Sequence, residues 1–357
     1  MNSPELKRDD FFLIISSCLD KTSLDEIKRI ITSLKSIATE LISEDSNTIL
    51  IKTDTAVIEY SYKLIQKEFE QILNTHTIER TKYYLNRLLK SLSVQKEGKI
   101  NDLNLNRWKE YDDIITDSLW IFDKRDTSGM HKAGYWGNFI PQIPNQLLRR
   151  YTKRVEWVID PFLGSGTTLI ECKRLGRNGV GIELNRQVAK STKSIIEKEK
   201  NPFKVTTKVV AGNSAIIDYK PLLKKLKMNS FQFMIMHPPY WDIIKFSDNK
   251  DDLSNAKSTE DFLRMFRNVV DNSYSILDRG RYCAVIIGDK YSSGEWIPLG
   301  FYVMQEMISK GFKLKSTIIK NFEQTTAKRN QKELWRYRAL AGGFYIFKHE
   351  YIFLFQK

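Results

Sequence analysis

The stretch Asp160-Pro-Phe-Leu-Gly-Ser-Gly-Thr-Thr168 decides the fold, because it joins a short apolar run to an amphipathic one. The run at 155–159 has the length and composition of a buried β-strand, and residues 167–175 have helical spacing. The two glycines let the backbone turn sharply and let a ligand approach closely. The free N–H groups at the start of the helix can bind a carboxylate or a phosphate. The stretch therefore predicts a ligand site between a strand and a helix.

The same alternation continues along the chain after about residue 130. Further apolar runs of strand length occur at 179–182, 205–210, 231–236, 282–287, 312–319 and 351–355. Helical stretches between them occupy 186–198, 259–277 and 300–310. Strands that alternate with helices predict a doubly wound, Rossmann-like α/β sheet, which binds ligands at the carboxyl ends of its strands. The loops that begin at Asp160, Glu183, Asn213 and His237 should therefore lie at one edge.

Three successive strand ends at this edge predict a nucleoside site. Glu183 follows the second strand, where an acid can bind ribose hydroxyls. Asn213 and Ser214 follow the third strand, where a short polar side chain can meet the edge of an adenine. A dinucleotide oxidoreductase would favour the pattern GxGxxG, whereas this loop reads Gly-Ser-Gly-Thr-Thr.

The nine-residue stretch is similar at every position to the DPFxGSGTT motif of bacterial DNA amino-methyltransferases. The resemblance covers about residues 117–357 and implies an S-adenosylmethionine-dependent methyltransferase fold, with 116–357 as the catalytic domain. It does not cover residues 1–100, and residues 1–115 are predicted to be a helical domain from their apolar spacing alone. Residues 137–146 resemble the family's segment that closes over the methionine end of the cofactor; a proline-rich linker is the alternative. The implied cofactor-binding residues are Asn138, Pro141, Asp160, Pro161, Phe162, Gly164, Ser165, Gly166, Thr167, Thr168, Glu183, Leu184, Asn213 and Ser214.

A second motif, His237-Pro-Pro-Tyr-Trp241, follows the strand predicted at 231–236. An exocyclic amine on adenine or cytosine is a poor nucleophile, because its lone pair is delocalised into the ring. Acceptors at the 237 side chain and the Pro238 carbonyl would free that lone pair, while Tyr240 stacks on a flipped base. Pro238 and Pro239 stiffen the loop, and much of the rate must come from positioning. The motif resembles the (Asp/Asn/Ser)-Pro-Pro-(Tyr/Phe/Trp) motif of the same family, which makes His237, Pro238, Pro239 and Tyr240 the predicted catalytic residues.

His237 departs from the family pattern at the first position of this motif. A neutral imidazole still has one acceptor nitrogen, and it can act as a general base for the proton that the amine loses. The alternative is that His237 only packs and that catalysis is weak or absent. The histidine does not separate adenine-N6 from cytosine-N4, and the commoner activity of the family slightly favours adenine. None of the cysteines lies in a Pro-Cys motif, which argues against methylation of cytosine at carbon 5.

The distribution of charge indicates a polyanionic partner. The chain has a formal net charge of +14, yet residues 1–130 carry 19 basic and 22 acidic side chains, so residues 131–357 carry 38 and 21. A basic surface attracts nucleic acid, and double-stranded DNA is the predicted partner. The segment 320–348 interleaves basic and aromatic residues; a solvated charged face is the alternative. The predicted DNA contacts are Trp241, for which plain core packing is an equal alternative, Lys328, Arg329, Lys332, Arg336 and Arg338.

The remaining features exclude several classes of protein. No run of 18 apolar residues could span a membrane, the start of the chain lacks a secretory pattern, and three isolated cysteines favour neither disulfides nor a metal site. A prokaryotic cytoplasmic, nucleoid-associated protein is expected. Residues 11–100 show helical spacing with few strands, and they are assigned to packing, to dimer formation, or to partner or DNA recognition. A homodimer and a restriction or defence partner stay open, as do two rival functions, an RNA base methyltransferase and a non-catalytic DNA-binding subunit with a degenerate methylase fold.

Overall fold

The computed structural model describes residues 11–40, 47–53, 56–131, 135–321 and 332–357. These residues form two compact units, one within Met1–Lys99 and Leu103–Ile114 and the other within Ile100–Asp102 and Ile115–Lys357. Among the described helices, none is long and apolar enough to cross a bilayer.

The first unit is mainly helical. Its elements are α1 (Phe11–Ser17), α2 (Leu24–Glu40), β1 (Thr48–Lys52), β2 (Val57–Ser61), α3 (Tyr62–Leu73) and α4 (Ile78–Ser93). Ser23 Oγ accepts a hydrogen bond from the Glu26 backbone N–H at 3.3 Å, which caps the start of α2. A core of apolar side chains from all these elements holds the unit together.

The antiparallel hairpin of β1 and β2 was not expected from the sequence. Ile49 and Ile51 are buried whereas Leu50 between them is 69% exposed, which is the period of two that a strand requires. Gly98 is the first glycine of the chain, which favours few strands and tight turns before it, yet β1 and β2 pair without one. The Thr53 N–H donates to the Ala56 carbonyl at 2.8 Å and ties the two strand ends together.

The second unit contains the large sheet. Its strands are β3 (Leu119–Trp120), β4 (Trp157–Asp160), β5 (Asn178–Glu183), β6 (Thr207–Ala211), β7 (Phe231–Met236), β8 (Leu277–Ile287), β9 (Lys290–Ser292), β10 (Glu295–Ile297), β11 (Lys313–Asn321) and β12 (His349–Gln356). Its helices are α5 (Gln142–Tyr151), α6 (Thr167–Leu175), α7 (Arg186–Lys198), α8 (Tyr219–Leu226), α9 (Thr259–Tyr274), α10 (Leu299–Ser309) and α11 (Lys332–Gly342). Of the first residue of α11, only the backbone is described.

Eight strands form one sheet in the order β3-β11-β12-β8-β7-β4-β5-β6, and β9 pairs with β10 separately. All neighbours in the large sheet are parallel except that β12 runs antiparallel to both β8 and β11. The chain runs outward from β4 through β5 to β6 and then returns to β7 on the other side of β4. The carboxyl ends of β4 and β7 therefore flank the switch point, where open α/β sheets bind ligands.

Both faces of this sheet are covered, as the doubly wound prediction requires. Phe233 and Ile235 of β7 pack in one core with α5, α6 and α7. Phe231, Met234 and Met236 of the same strand pack in another core with α8, α9 and α10. Because the strand is buried on both sides, its sequence is apolar except for the half-buried Gln232. This buried scaffold fixes the position of the loop that follows Met236.

Several predicted boundaries were wrong. The strand predicted at 282–287 already begins at Leu277. The strand predicted at 155–159 begins at Trp157, because Val155 has a φ of 60° and lies outside the β region. The helix predicted at 259–277 ends at Tyr274, since Leu277 already starts β8 and pairs with Phe231 of β7.

Candidate functional site

The glycine loop between β4 and α6 is built on two left-handed residues. Gly164 has a φ of 51° and Gly166 a φ of 84°, which side chains with a Cβ rarely adopt. A Cβ on Gly166 would also lie 2.7 Å from Thr192 Cγ2 on α7. These positions need glycine both for the turn and for the close approach of the next helix.

Asp160 shapes this loop from its buried position at the end of β4. One carboxylate oxygen accepts the Phe162 N–H at 2.9 Å, and the other accepts the Thr168 hydroxyl at 2.6 Å. Burial raises the pKa of Asp160 to about 7. Because both oxygens accept hydrogen bonds from residues of the loop and of the helix start, Asp160 stabilises the loop conformation.

Glu183 joins the glycine loop to the end of β5. Its Oε2 accepts the Gly164 N–H at 2.9 Å, and its Oε1 accepts the Asn185 N–H at 2.8 Å. Burial raises the pKa of Glu183 above its usual value. Each oxygen keeps a further lone pair, so the carboxylate can also accept from a ligand hydroxyl. Leu184, which follows it, is half-buried.

The third strand end lies against the first. The Ser214 hydroxyl donates to the Pro161 carbonyl at 2.6 Å, and the Gly212 N–H donates to the Glu183 carbonyl at 2.9 Å. Asn213 Oδ1 accepts the Ala215 N–H at 2.9 Å, which holds this turn in shape. The ends of β4, β5 and β6 are thus brought together as the sequence predicted.

The segment at 137–146 lies against the glycine loop. Asn138 Nδ2 donates to Ser165 Oγ at 3.1 Å, and Ser165 Oγ lies 3.4 Å from Thr167 Oγ1. Pro141 is buried and directly precedes α5, so the second half of the segment is a helix. The linker alternative is therefore wrong for this half.

Tyr135, which was not predicted from the sequence, lies against the same loop and stacks on a second aromatic residue, Phe246. The Tyr135 and Phe246 rings are stacked with centroids 6.2 Å apart. A Cβ on Gly164 would lie 3.2 Å from Tyr135 Cε1, so glycine leaves room for this ring. Burial raises the pKa of the Tyr135 hydroxyl, and Glu183 contributes to the same direction. Both residues lie in loops without a motif, and only their aromatic character marks them in the sequence.

The His-Pro-Pro-Tyr motif follows β7 at the switch point. The imidazole of His237 lies 4.9 Å from the Phe139 ring, centroid to centroid. Its burial lowers its pKa to about 4, so the ring is neutral at pH 7. Among the described residues, none donates a hydrogen bond to the Pro238 carbonyl, which leaves it available as an acceptor. Pro238 is buried and Pro239 is half-buried.

Tyr240 connects this motif to two buried charges. Its hydroxyl lies 3.1 Å from His237 Nε2 and donates to Glu350 Oε2 at 2.7 Å. Glu350 Oε1 lies 3.1 Å from Lys320 Nζ, and the two side chains are only 5% and 7% exposed. A Cβ on Gly288 would lie 3.0 Å from Tyr240 Cε2, so glycine lets the ring approach β8. Glu350 was not predicted from the sequence, and Lys320, the first residue of the predicted DNA-contact segment 320–348, is buried in this ion pair and not on the surface.

Trp241 is held on both its edge and its face. Its backbone has a φ of 54°, and its indole N–H donates to the Ala256 carbonyl at 2.8 Å. The Lys290 ammonium lies 3.7 Å from the ring centroid and forms an ion pair with Asp242. The cation lies over one face of the indole, and the rest of the Trp241 side chain packs against the surrounding core.

The predicted DNA-contact segment is described only in part. Lys328 and Arg329, with the side chain of Lys332, lie outside the described residues. Arg336 and Arg338 are exposed on α11, a helix that the sequence analysis did not predict. The Arg338 guanidinium lies 5.3 Å from the Trp335 ring centroid.

One cluster away from this site has the donor types of a metal centre. Asp126, His131 and Glu171 place one ligand atom each within 4.8 Å of one another. The Arg174 guanidinium lies 3.4 Å from both carboxylates, and His131 Nε2 lies 2.7 Å from Glu171. Arg174 supplies the positive charge that a metal ion would bring, so we interpret the cluster as an ion-pair network.

Comparison with known proteins identifies related sequences. The family model described as DNA methylase matches residues 20–194 and 231–357. The type II methyltransferase M.MthZI of Methanothermobacter thermautotrophicus is 27% identical over 40% of this chain and 49% of its own length. The type II methyltransferase M2.DpnII of Streptococcus pneumoniae is 30% identical over 38% of this chain and 54% of its own length. The matches thus span about half of each relative.

Among solved structures, TrmN from Thermus thermophilus is 14% identical and has a TM-score of 0.41. The similarity covers 62% of this chain and 50% of that one. It is too low to support any inference about activity.

Proposed function

Because this chain belongs to the DNA methylase family, we propose that it transfers a methyl group from S-adenosylmethionine to an exocyclic amino group of a base in DNA. One observation carries the proposal: the glycine loop and the His-Pro-Pro-Tyr loop follow adjacent parallel strands. Val158 of β4 pairs with Phe233 of β7, so the two loops leave the sheet side by side. A cofactor in the first loop and a base in the second would be neighbours.

The cofactor is S-adenosylmethionine, and the residues at the switch point fit it. The Glu183 carboxylate has free lone pairs for the ribose hydroxyls, and we propose that Asn213, at the end of the third strand, meets the adenine edge. Asn138 contacts the glycine loop at Ser165, where it can close on the methionine end. When bound, the cofactor supplies an electrophilic methyl group on a sulfonium.

The catalytic loop supplies acceptors to the target amine. His237 is neutral, so one of its ring nitrogens carries a lone pair, and the Pro238 carbonyl is free of other donors within the described chain. Hydrogen bonds from the amine to these two acceptors localise the nitrogen lone pair for attack. The same imidazole can accept the proton that the methylated nitrogen loses. Tyr240 contributes a ring edge beside His237, and Trp241 closes the loop behind it.

A base inside a duplex is out of reach of such a loop, so we infer that the target base is flipped out of the helix. Adenine-N6 is favoured over cytosine-N4 only by the commoner activity of the family. Arg336 and Arg338 on α11 are proposed to bind the DNA backbone, because they are exposed and basic. We also propose that the protein acts in the prokaryotic cytoplasm at the nucleoid, because its proposed substrate is DNA. A homodimer and a restriction or defence partner stay predictions, as does the role of the first unit.

The decisive experiment measures transfer of labelled methyl groups from S-adenosylmethionine to three substrates: duplex DNA, single-stranded DNA and tRNA. We expect label in duplex DNA, and base-resolved sequencing of that DNA then gives the methylated atom and the recognition site. Label in tRNA alone would favour the RNA methyltransferase. Cofactor binding without any transfer would favour the non-catalytic subunit, in which His237 only packs.

A further inference from the structure

We propose that Glu350, acting through Tyr240, holds the His237 ring in the form protonated at Nε2, so that Nδ1 is presented as the acceptor. The inference rests on the function proposed above, and it names Glu350 and Tyr240 as positioning residues for the same site. Neither residue needs to touch the base in order to perform this role.

The positions of the protons follow from the donors and acceptors present. A carboxylate has no proton to donate, so the single hydroxyl proton of Tyr240 lies in its 2.7 Å bond to Glu350. The Tyr240 oxygen can then only accept from His237 Nε2, which lies 3.1 Å away. In a neutral imidazole with its proton on Nε2, Nδ1 carries the lone pair.

Lys320 keeps this chain of hydrogen bonds pointing in one direction. Its ammonium lies 3.1 Å from the second oxygen of Glu350, and both side chains are almost fully buried. With the ammonium at one oxygen and the Tyr240 hydroxyl at the other, both carboxylate oxygens of Glu350 act as acceptors. The pKa of Tyr240 is raised well above its usual value by burial, so the hydroxyl stays protonated.

The sheet topology explains why these residues meet. Lys320 of β11 and Glu350 of β12 are direct partners in the antiparallel ladder. β12 lies beside β8, and β8 lies beside β7, whose loop carries His237. Among the described residues, none hydrogen-bonds to His237 Nδ1, and that atom is not among the buried side-chain atoms left without a partner. Nδ1 is therefore open to an incoming group.

The arrangement accounts for a histidine at a position where the related motif has Asp, Asn or Ser. Those side chains offer an oxygen acceptor in any state they adopt at neutral pH, whereas an imidazole offers one only on its unprotonated nitrogen. When the methylated nitrogen loses its proton, Nδ1 takes it up. The proton on Nε2 stays there, hydrogen-bonded to the Tyr240 oxygen. The wrong tautomer would present a donor to the amine and block the reaction.

The variant Glu350→Gln tests the inference, because it keeps the shape of the side chain but can reverse the direction of the hydrogen bonds between residue 350, Tyr240 and His237. Lys320 would hold the amide oxygen, and the amide N–H would then face the Tyr240 oxygen. The Tyr240 proton would turn to His237 Nε2, and the ring proton would move to Nδ1. This is the same logic by which a Ser-His-Asp triad loses activity when its carboxylate becomes an amide.

The primary measurement is nitrogen NMR on protein without cofactor, labelled at its four histidines. The His237 signals are identified by their loss in His237→Ala. We expect an unprotonated Nδ1 in the wild type and in the control Glu295→Gln, an exposed glutamate on β10, and a protonated Nδ1 in Glu350→Gln. A protonated Nδ1 in the wild type, or no change in Glu350→Gln, would overturn the inference.

Kinetics provide the second measurement. We expect kcat of Glu350→Gln to fall on the order of 100-fold while the KM for S-adenosylmethionine changes less than about twofold. If Glu350→Gln does not fold, Tyr240→Phe removes the relay hydroxyl, and loss of a single tautomer there supports the inference whereas an unchanged tautomer contradicts it. Wild-type protein that never methylates DNA but shows the expected tautomer would refute the proposed function alone.

Discussion

Replacing Glu183 by glutamine should weaken cofactor binding far more than the small change in shape suggests. Both carboxylate oxygens accept backbone N–H groups, from Gly164 at 2.9 Å and from Asn185 at 2.8 Å. A glutamine has only one acceptor oxygen, so its amide N–H₂ group must face one of these donors. One buried N–H then loses its partner, and the edge of the cofactor pocket shifts.

The magnitude follows from the groups involved. A donor left without a partner costs about 1–3 kcal/mol, and hydrogen bonds from ribose hydroxyls to a charged acceptor contribute about 1.5–3 kcal/mol each. Part of the cost of the unpaired N–H group lowers the stability of the fold and not the affinity for the cofactor. We therefore assign about 1–3 kcal/mol to cofactor binding. At 1.4 kcal/mol for each factor of ten, the Kd for S-adenosylmethionine should rise about 5- to 150-fold.

Isothermal titration calorimetry of Glu183→Gln with S-adenosylmethionine measures this change. The matched control is Glu197→Gln on the exposed face of α7, where the carboxylate has only a loose ion pair with Lys193 at 3.9 Å. The control should stay within about twofold of the wild-type Kd, since exposed pairs contribute little. A folded Glu183→Gln protein with the wild-type Kd would refute the placement of the ribose at Glu183.

Three further predictions concern the loops and the DNA surface. Gly166→Ala should lower the free energy of unfolding by about 2–5 kcal/mol in denaturant titration, whereas Gly294→Ala, with a similar positive φ and an open Cβ direction, should cost only about 1–2 kcal/mol. Asp160 has a folded pKa of about 7, above its unfolded value, so its ionisation removes stability as pH rises from about 4 to about 7. Asp160→Asn should therefore gain stability relative to wild type across that window, on the order of a few kcal/mol; a constant difference in melting curves would contradict this. The double variant Arg336→Ala, Arg338→Ala should flatten the salt dependence of DNA binding by about two units of slope, and an unchanged slope would remove α11 from the DNA surface.

Local signals made the sheet and the glycine loop predictable. The Asp160–Thr168 stretch encodes its own geometry, because the glycines stand where φ is positive and the flanking apolar runs are the buried strand and helix. The strand boundary failed at Val155, where a β-branched residue that favours strands occupies a left-handed turn. Its N–H donates to the Gly176 carbonyl at 2.7 Å, so a tertiary contact overrides the local preference.

The relay behind His237 could not be predicted from the sequence, since its members are far apart. Glu350 is 110 residues from Tyr240, and a charged residue near a strand end reads as solvent-facing. Only the insertion of β12 between β8 and β11 shows that Glu350 and Lys320 are buried partners. Tyr135 and Phe246 are also far apart in the sequence, and neither of their loops has a motif, so the pair was not predicted.

The position of β12 in the sheet also bears on when the site can assemble during synthesis. β8 and β11 leave the ribosome first, and until residues 349–356 follow, both present open hydrogen-bonding edges that invite wrong pairing. His237 leaves the ribosome more than a hundred residues before Glu350, the residue that we propose orients it. If the proposed roles hold, a nascent chain could form its glycine loop early but would be inactive until β12 pairs between β8 and β11. Chaperone demand and the onset of activity should then coincide with the arrival of one strand.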